Sequence, residues 1–427
     1  MVTAHTLYDG ASMTVLASGM RVLVEEVPSS RSISAGIWIG GGSRSDPVDR
    51  PGLSHAVEHL LFKGTSQRSA DAIACEIEDV GGHLNAATGR ESTLVYAEAP
   101  AESLVTVLDL LADLARNPKF PAGALDLERG VLLEEIRNRD DDPEQCAYDL
   151  FANGLWDPPH ALGRSVLGTR EMVETLTCGE IKKRHRGQYT PSNMVLAVCG
   201  STRAKDVPSP AEERFVDGEE GSEPPPEAPP TMGFGERVHR RNTAQSHVYV
   251  ALPGPSAGDD DRFPLEILNS ILGDGLSSRL FRAIREERGL AYAVSSAVTH
   301  YSDVGVWTFY AGVAPENAWT VRGLVLEELE RLRREGVTAD EVDRAKSKLR
   351  GHLILSLESN GSRMIRLGTA VLSGREILSP DALIARVEGV SSDELDDAIA
   401  RYVRTEAANI AEVGPDAPAV AASGAHR

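Results

Sequence analysis

The residues best suited to catalysis lie in one pentapeptide, His55-Ala-Val-Glu58-His59. Successive residues of an α-helix are rotated by roughly 100°, so His55, Glu58 and His59 share one face if this segment is helical. Two imidazoles one turn apart can bind a single tetrahedral Zn²⁺, and a neighbouring carboxylate can accept a proton from water. The pentapeptide therefore predicts a zinc site with a carboxylate that can take a proton from the metal's water.

The alternative is a polar helix face on which the two histidines satisfy each other. The apolar residues Leu60, Leu61 and Phe62 follow directly, which indicates that the helix is mostly buried. Buried imidazoles beside a carboxylate need partners, and a bound metal ion supplies one to all of them. The flanking residues therefore favour the metal site.

A catalytic zinc site needs a third protein ligand and one open position. The helical pattern over 124–138 offers Glu128, Glu134 and Glu135. Glu128 and Glu135 are seven residues apart and share a face to within about 20°, whereas Glu134 lies roughly 100° away and is predicted to be solvated. Spacing alone leaves both Glu128 and Glu135 as candidate ligands.

The elements that position these residues follow an α+β plan. Strand patterns precede the pentapeptide, a glycine run at 40–42 ends them, and HLNAAT and STLVYAEAP read as a strand pair. The later part of the chain repeats the same order, so we expect two similar domains, each with an antiparallel or mixed sheet and helices on one face. The predicted bounds are a zinc-binding domain 1–205, an acidic Pro-rich linker 206–232, a second α+β domain 233–415 and a flexible tail 416–427.

Composition excludes several classes of function. The chain has 44 Lys plus Arg against 64 Asp plus Glu, a formal charge of −20, which disfavours nucleic acid and anionic membranes and favours basic peptides. No apolar stretch approaches the roughly 20 residues of a membrane span, and the first residues do not read as a signal peptide. Four scattered cysteines are typical of a reducing compartment, so we expect a cytoplasmic protein.

Four segments resemble the pitrilysin family of zinc peptidases, the inverzincins with the order His-x-x-Glu-His. They are GSRSDPVDRPGLSHAVEHLLFKGT, GGHLNAATGRESTLVY, LERGVLLEEIRNRDDDP and, in the second domain, GDGLSSRLFRAIREERGLAYAV. The resemblance is to the short branch that includes mitochondrial processing peptidase subunits and bacterial relatives, and it extends from about residue 12 to 412. It implies one half of a clamshell peptidase.

The resemblance also implies roles for individual residues. His55, His59 and Glu135 match the zinc ligands, Glu58 matches the general base, and Glu128 matches a second acidic residue that supports the ligands. Further from the metal, the matching positions are Asn85 and Ala86 in an edge strand that pairs with extended substrate, and Arg285 and Tyr292 on the opposite wall. A cation and a phenol there can hold the scissile carbonyl.

These assignments predict a metalloendopeptidase with one Zn²⁺ per chain that cleaves extended or unfolded peptides. Because the chain resembles only one half of the long family members, we expect a partner subunit to supply Arg285 and Tyr292 to each zinc. The partner is a second copy or a related subunit. The competing hypotheses are a catalytically silent or partner-dependent subunit of a heterodimeric processing peptidase, and a peptidase dedicated to leader-peptide removal.

Overall fold

The computed structural model describes residues 3–215 and 229–415, which form two compact units. Among the described residues, the first unit combines 3–138, 164–215 and 353–382, and the second combines 139–163, 229–352 and 383–415. Each unit contains one sheet and the helices packed on it. The helices are α1 Leu53–Leu61, α2 Ala70–Asp79, α3 Leu104–Arg116, α4 Ala122–Asp141, α5 Pro143–Asn153, α6 Arg170–Thr175, α7 Cys178–Gln188, α8 Pro208–Arg214, α9 Arg262–Leu272, α10 Ala318–Glu335, α11 Ala339–Ser356, α12 Asn360–Leu372, α13 Pro380–Glu388 and α14 Ser392–Tyr402.

The first unit is built on a mixed sheet of seven strands. They are β1 Thr3–Tyr8, β2 Ala11–Val15, β3 Arg21–Glu26, β4 Ser32–Gly40, β5 His83–Thr88, β6 Ser92–Pro100 and β7 Met194–Gly200. The order across the sheet is β1-β2-β3-β7-β4-β6-β5, in which only the β3–β7 pair is parallel. Strand β5 is therefore an edge of this sheet.

Both faces of the central strands are buried. Along β4, Ile37 and Ile39 face the main core with α1 and α3, whereas Trp38 packs against Met364 and Leu367 of α12. Successive side chains of a strand point to opposite faces, so a strand covered on both sides is buried without alternation, as β4 is in the segment SISAGIWIG. Helix α12 thus adds a layer on the face opposite the other helices of this unit.

The second unit repeats this topology. Its strands are β8 Gly235–Arg240, β9 Ser246–Gly254, β10 Ala291–His300, β11 Gly305–Val313 and β12 Asn409–Gly414. The order β8-β12-β9-β11-β10, with only the β8–β12 pair parallel, matches β3-β7-β4-β6-β5 strand for strand. The predicted α+β fold of two similar domains is confirmed.

Several shorter helical segments connect the elements. Phe281–Glu286 is a π-helix. The 3₁₀ turns are Gly42–Ser45, Ala101–Ser103, Ala161–Gly163, Pro191–Asn193, Ala204–Asp206, Pro315–Asn317 and Thr405–Ala407. No helix within 3–215 or 229–415 combines the length and hydropathy that a membrane crossing requires.

The start of the predicted linker 206–232 is a packed helix instead. Val207, Ala211 and Phe215 flank or belong to α8 and are buried in the first core. Their spacing of four residues forms a helical stripe that the high Pro and Glu content of the stretch concealed. Residues 216–228 and the predicted tail 416–427 lie outside the described residues, and the other domain bounds stay a prediction.

Candidate metal centre

Helix α1 carries the pentapeptide and is held by its apolar face. Ala56, Val57 and Leu60 are completely buried in the first core, which fixes the rotation of the helix about its axis. The helix begins after Gly52, whose φ of 91° is in the left-handed region. A side chain at this glycine would also lie 2.7 Å from Gly168, so the sharp entry into α1 requires glycine.

Three side chains converge beside α1. His55 Nε2 and His59 Nε2 are 3.2 Å apart, and each lies 3.5 Å from Oε2 of Glu135 on α4. Two atoms bound tetrahedrally at about 2.0–2.1 Å from a Zn²⁺ are about 3.3–3.4 Å apart. The triangle therefore has the size that a tetrahedral zinc site needs. Three side chains would fill three of the four coordination positions and leave the fourth for water or substrate.

The hydrogen-bonding state of these groups also fits a metal. Glu135 Oε2, the carboxylate atom of the triangle, is buried without a hydrogen-bond partner among the described residues. Burial, followed by the proximity of His59, lowers the pKa of His55 to about 3, so its imidazole is neutral at pH 7. A neutral imidazole is the form that binds a metal ion, and a cation here would engage three converging lone pairs.

Glu128 lies behind His59. Its Oε2 is 3.1 Å from His59 Nδ1, and its Oε1 is 2.6 Å from Lys63 Nζ. A hydrogen bond from His59 Nδ1–H to this carboxylate directs the Nε2 lone pair into the triangle, as carboxylates commonly do behind metal-binding histidines. Of the two candidates that spacing left open, the structure places Glu135 at the triangle and Glu128 in a supporting position. Glu134 is exposed and pairs with Arg137.

Glu58 lies on the same helix but outside the triangle. Its Oε2 accepts a hydrogen bond from Thr88 Oγ1 on β5. Burial raises the pKa of Glu58 above its usual range, the direction expected of a carboxylate that must accept and return a proton near neutral pH. The arrangement can therefore move a proton beside a metal-binding position.

Sequence reasoning did not identify Lys63 and Thr88. Lys63 lies just beyond the end of α1 and contacts Glu128 of α4, so only the packing of the two helices brings this pair together. Thr88 comes from a strand 30 residues beyond Glu58, and only the packing of β5 beside α1 brings the two together.

Asn85 and Ala86 lie on the edge strand β5. This strand pairs with β6 on one side only, within the part of the chain that the structure describes. Asn85 is exposed, and its Oδ1 accepts a hydrogen bond of 2.8 Å from the Ala86 N–H. A groove of about 710 Å³ lined by Asn85, Leu84 and Phe62 lies beside the strand. An extended peptide could pair here by its backbone.

Arg285 and Tyr292 belong to the second unit, where they contact each other. The Arg285 guanidinium lies 5.1 Å from the centre of the Tyr292 ring and 5.0 Å from that of Phe281. Tyr292 is 78% exposed and sits in β10, directly after the turn that follows the π-helix. The pair therefore presents a cation and a phenol on the surface of its unit.

Comparisons with known proteins agree with the geometry. Residues 21–170 match the family model described as Insulinase (Peptidase family M16), and 175–349 match that of the Peptidase M16 inactive domain. An uncharacterized zinc protease of Streptomyces coelicolor is 37% identical over 94% of this chain and 89% of its own length. The mitochondrial-processing peptidase subunit beta of Lentinula edodes is 29% identical over 94% of this chain and 89% of its own.

Solved structures show the same fold. A crystal structure of a protease from Helicobacter pylori superposes with a TM-score of 0.87, at 22% identity over 97% of this chain and 99% of that one. The fold and the matches to both family models place the chain in a class of proteins whose relatives are named zinc proteases. The chain belongs to peptidase family M16, and the resemblance to pitrilysin-type zinc peptidases is confirmed.

Proposed function

We propose that this protein is a zinc-dependent endopeptidase that hydrolyses extended or unfolded peptides. The observation that carries the proposal is the triangle of His55 Nε2, His59 Nε2 and Glu135 Oε2, with separations of 3.2–3.5 Å. These three side chains would hold one Zn²⁺ per chain, with Glu128 orienting His59. When bound, the ion supplies Lewis acidity toward water and the scissile carbonyl.

Glu58 performs the proton transfers in this proposal. Its carboxylate accepts a proton from the attacking water and delivers it to the nitrogen of the leaving amine when the C–N bond breaks. Because Thr88 hydrogen-bonds to Oε2, the other oxygen of Glu58 is the one we assign to the transfer. Burial raises the pKa of Glu58 and so improves the match between this base and neutral pH.

The open edge of β5 would bind the substrate. A peptide that pairs with Asn85 and Ala86 must offer free backbone N–H and C=O groups, so extended segments are selected over folded surfaces. The formal charge of −20 favours basic segments, because clefts in an acidic protein attract cations.

Arg285 and Tyr292 would complete the site from a partner subunit. The cation and the phenol would hold the scissile carbonyl oxygen as its negative charge develops. One chain carries both residues and the metal triangle, so a homodimer suffices; a heterodimer with a related subunit is the alternative that the mitochondrial-processing relative favours.

A second candidate function is a silent or partner-dependent subunit of a processing peptidase, including one that removes leader peptides. It is favoured by the family model of the inactive domain over 175–349 and by the relative named as a processing subunit. The metal triangle and Glu58 lie within 21–170, the match to the insulinase model, and they favour the endopeptidase.

Zinc content and peptide cleavage together test the proposal. We expect the reconstituted chain to bind about one zinc and to cleave an unfolded basic peptide in a chelator-sensitive manner. Glu58→Gln should retain the zinc and lose cleavage, and Glu134→Gln on the exposed face of α4 is the matched control. Stoichiometric zinc without cleavage by the chain alone, restored by a related subunit, would favour the second candidate. Full activity of Glu58→Gln would refute the assigned base.

A further inference from the structure

A buried aspartate caps the metal-binding helix from outside it. Asp46 Oδ2 accepts the Gly52 N–H at 2.9 Å, and Oδ1 accepts the N–H and the hydroxyl of Ser54 at 3.0 and 2.7 Å. These amides are at the start of α1, where backbone donors have no partner within the helix. The Asp46 side chain has no exposed surface, so its charge must be balanced locally.

Arg184 of α7 supplies that balance. Its guanidinium lies 2.9 Å from Asp46 Oδ1 and 2.9 Å from the Ser54 hydroxyl, and it donates to the Ser45 carbonyl at 2.8 Å. Helix α7 itself begins with a Thr177–Glu180 capping box. The start of α1 is thus joined to a separately capped helix through a planar group with several donors in fixed directions.

Ser54 is the point at which this network meets the metal centre. It accepts from Arg184, donates to Asp46 and directly precedes His55. The metal triangle joins α1 to α4, and a catalytic constellation must be held to within about 0.5 Å to function. A small rotation or slip of the first turn of α1 would separate His55 from Glu135.

We propose that Asp46 and Arg184 are positioning residues of the metal centre, which set the start and rotation of α1 so that its two histidines meet Glu135. This inference rests on the proposed zinc site. Neither residue touches the metal-binding atoms, and both act through Ser54 and the first turn of α1.

The competing explanation is that the pair stabilises the fold without affecting the metal. Breaking any buried ion pair is destabilising, so loss of stability alone does not separate the two explanations. Glu25 provides a matched control because it is a buried carboxylate in the same unit, 2.6 Å from Arg363 and 3.0 Å from Arg366. Its partners lie on α12, which covers the face of the sheet opposite α1.

The experiment compares Asp46→Asn with Glu25→Gln in the full chain. Zinc affinity is measured by competition with a chromophoric chelator, coordination geometry by the visible spectrum of the Co²⁺-substituted protein, and stability by urea unfolding of the metal-free form. We expect Asp46→Asn to weaken zinc binding about tenfold, the lower end of the range for residues that contact a metal ligand directly, and to change the Co²⁺ spectrum. Glu25→Gln should lose stability while retaining wild-type zinc affinity and spectrum.

Ser54→Ala is the milder variant if Asp46→Asn does not fold, because it removes only the shared hydroxyl; we expect the same direction of change. Unchanged affinity and spectrum in Asp46→Asn, or in Ser54→Ala where that variant is used, would overturn the inference while leaving the zinc site in place. Equal weakening by Glu25→Gln would also overturn it. Absence of zinc from the wild-type chain would instead refute the proposed function and this inference together.

Discussion

Replacing Glu128 by alanine tests whether Glu128 supports His59 while Glu135 is the ligand. The change removes the 3.1 Å contact with His59 Nδ1 and leaves Lys63, now 2.6 Å from the carboxylate, without this partner. A hydrogen bond to a charged group contributes about 1.5–3 kcal/mol, and each 1.4 kcal/mol is tenfold in affinity. We therefore expect zinc to bind about 10–100-fold more weakly, in agreement with the range for residues behind metal ligands.

The assay is zinc competition with a chelator of known affinity, run beside Glu134→Ala as the control on the same helix. The Glu134 side chain is 57% exposed and contacts Arg137, so we expect this control to bind zinc as the wild type does. If Glu128→Ala bound zinc with an affinity within twofold of wild type, the proposed support of His59 by Glu128 would be refuted. Complete loss of zinc in Glu128→Ala, with retention in Glu135→Ala, would reverse the roles of the two glutamates.

Glu135→Ala should reduce bound zinc to well below one per chain, measured by atomic absorption after reconstitution; stoichiometric zinc would contradict its role as ligand. Lys63→Met should weaken zinc binding less than Glu128→Ala does, because the contact with His59 remains, and the same chelator competition would expose a larger effect. Mixing inactive Glu58→Gln and Tyr292→Phe chains should restore partial peptide cleavage if sites are shared between subunits; no recovery after confirmed subunit exchange would argue against sharing. Burial lowers the pKa of His185 to about 4 from 6.5. The contribution of this neutral imidazole to the free energy of unfolding is therefore fully present above about pH 6.5, and it falls by up to about 3 kcal/mol as the pH approaches 4. Urea unfolding at several pH values should show that His185→Gln loses this part of the pH dependence, and an unchanged profile would refute the assignment.

The helix and its shared face were predictable because they depend on local geometry. The spacing of His55, Glu58 and His59 determines a shared face whatever the rest of the fold does, and the apolar residues around them indicate which face is buried. The repeated order of strands and helices likewise predicted two similar domains, and the matching topologies of the two sheets confirm it.

Contacts between elements that are distant in the sequence could not be predicted from local spacing. The choice between Glu128 and Glu135 depends on how far α4 is shifted along α1, and seven-residue spacing places both on one face. Asp46 and Arg184 are 138 residues apart in the sequence. Helix α12 packs on the first sheet although it follows residues 229–352 of the second unit in the sequence. Periodicity reports which side of an element is buried, but not which element covers it.

The sequence by itself thus determined which residues are suited to bind a metal and which helix carries them, because both follow from residue types and a rotation of about 100° per residue. Only the tertiary structure decided which carboxylate joins the histidines, which hydroxyl holds Glu58 and which buried ion pair sets the start of α1. Those outcomes depend on distances between elements, and packing against a common core sets such distances to fractions of an ångström.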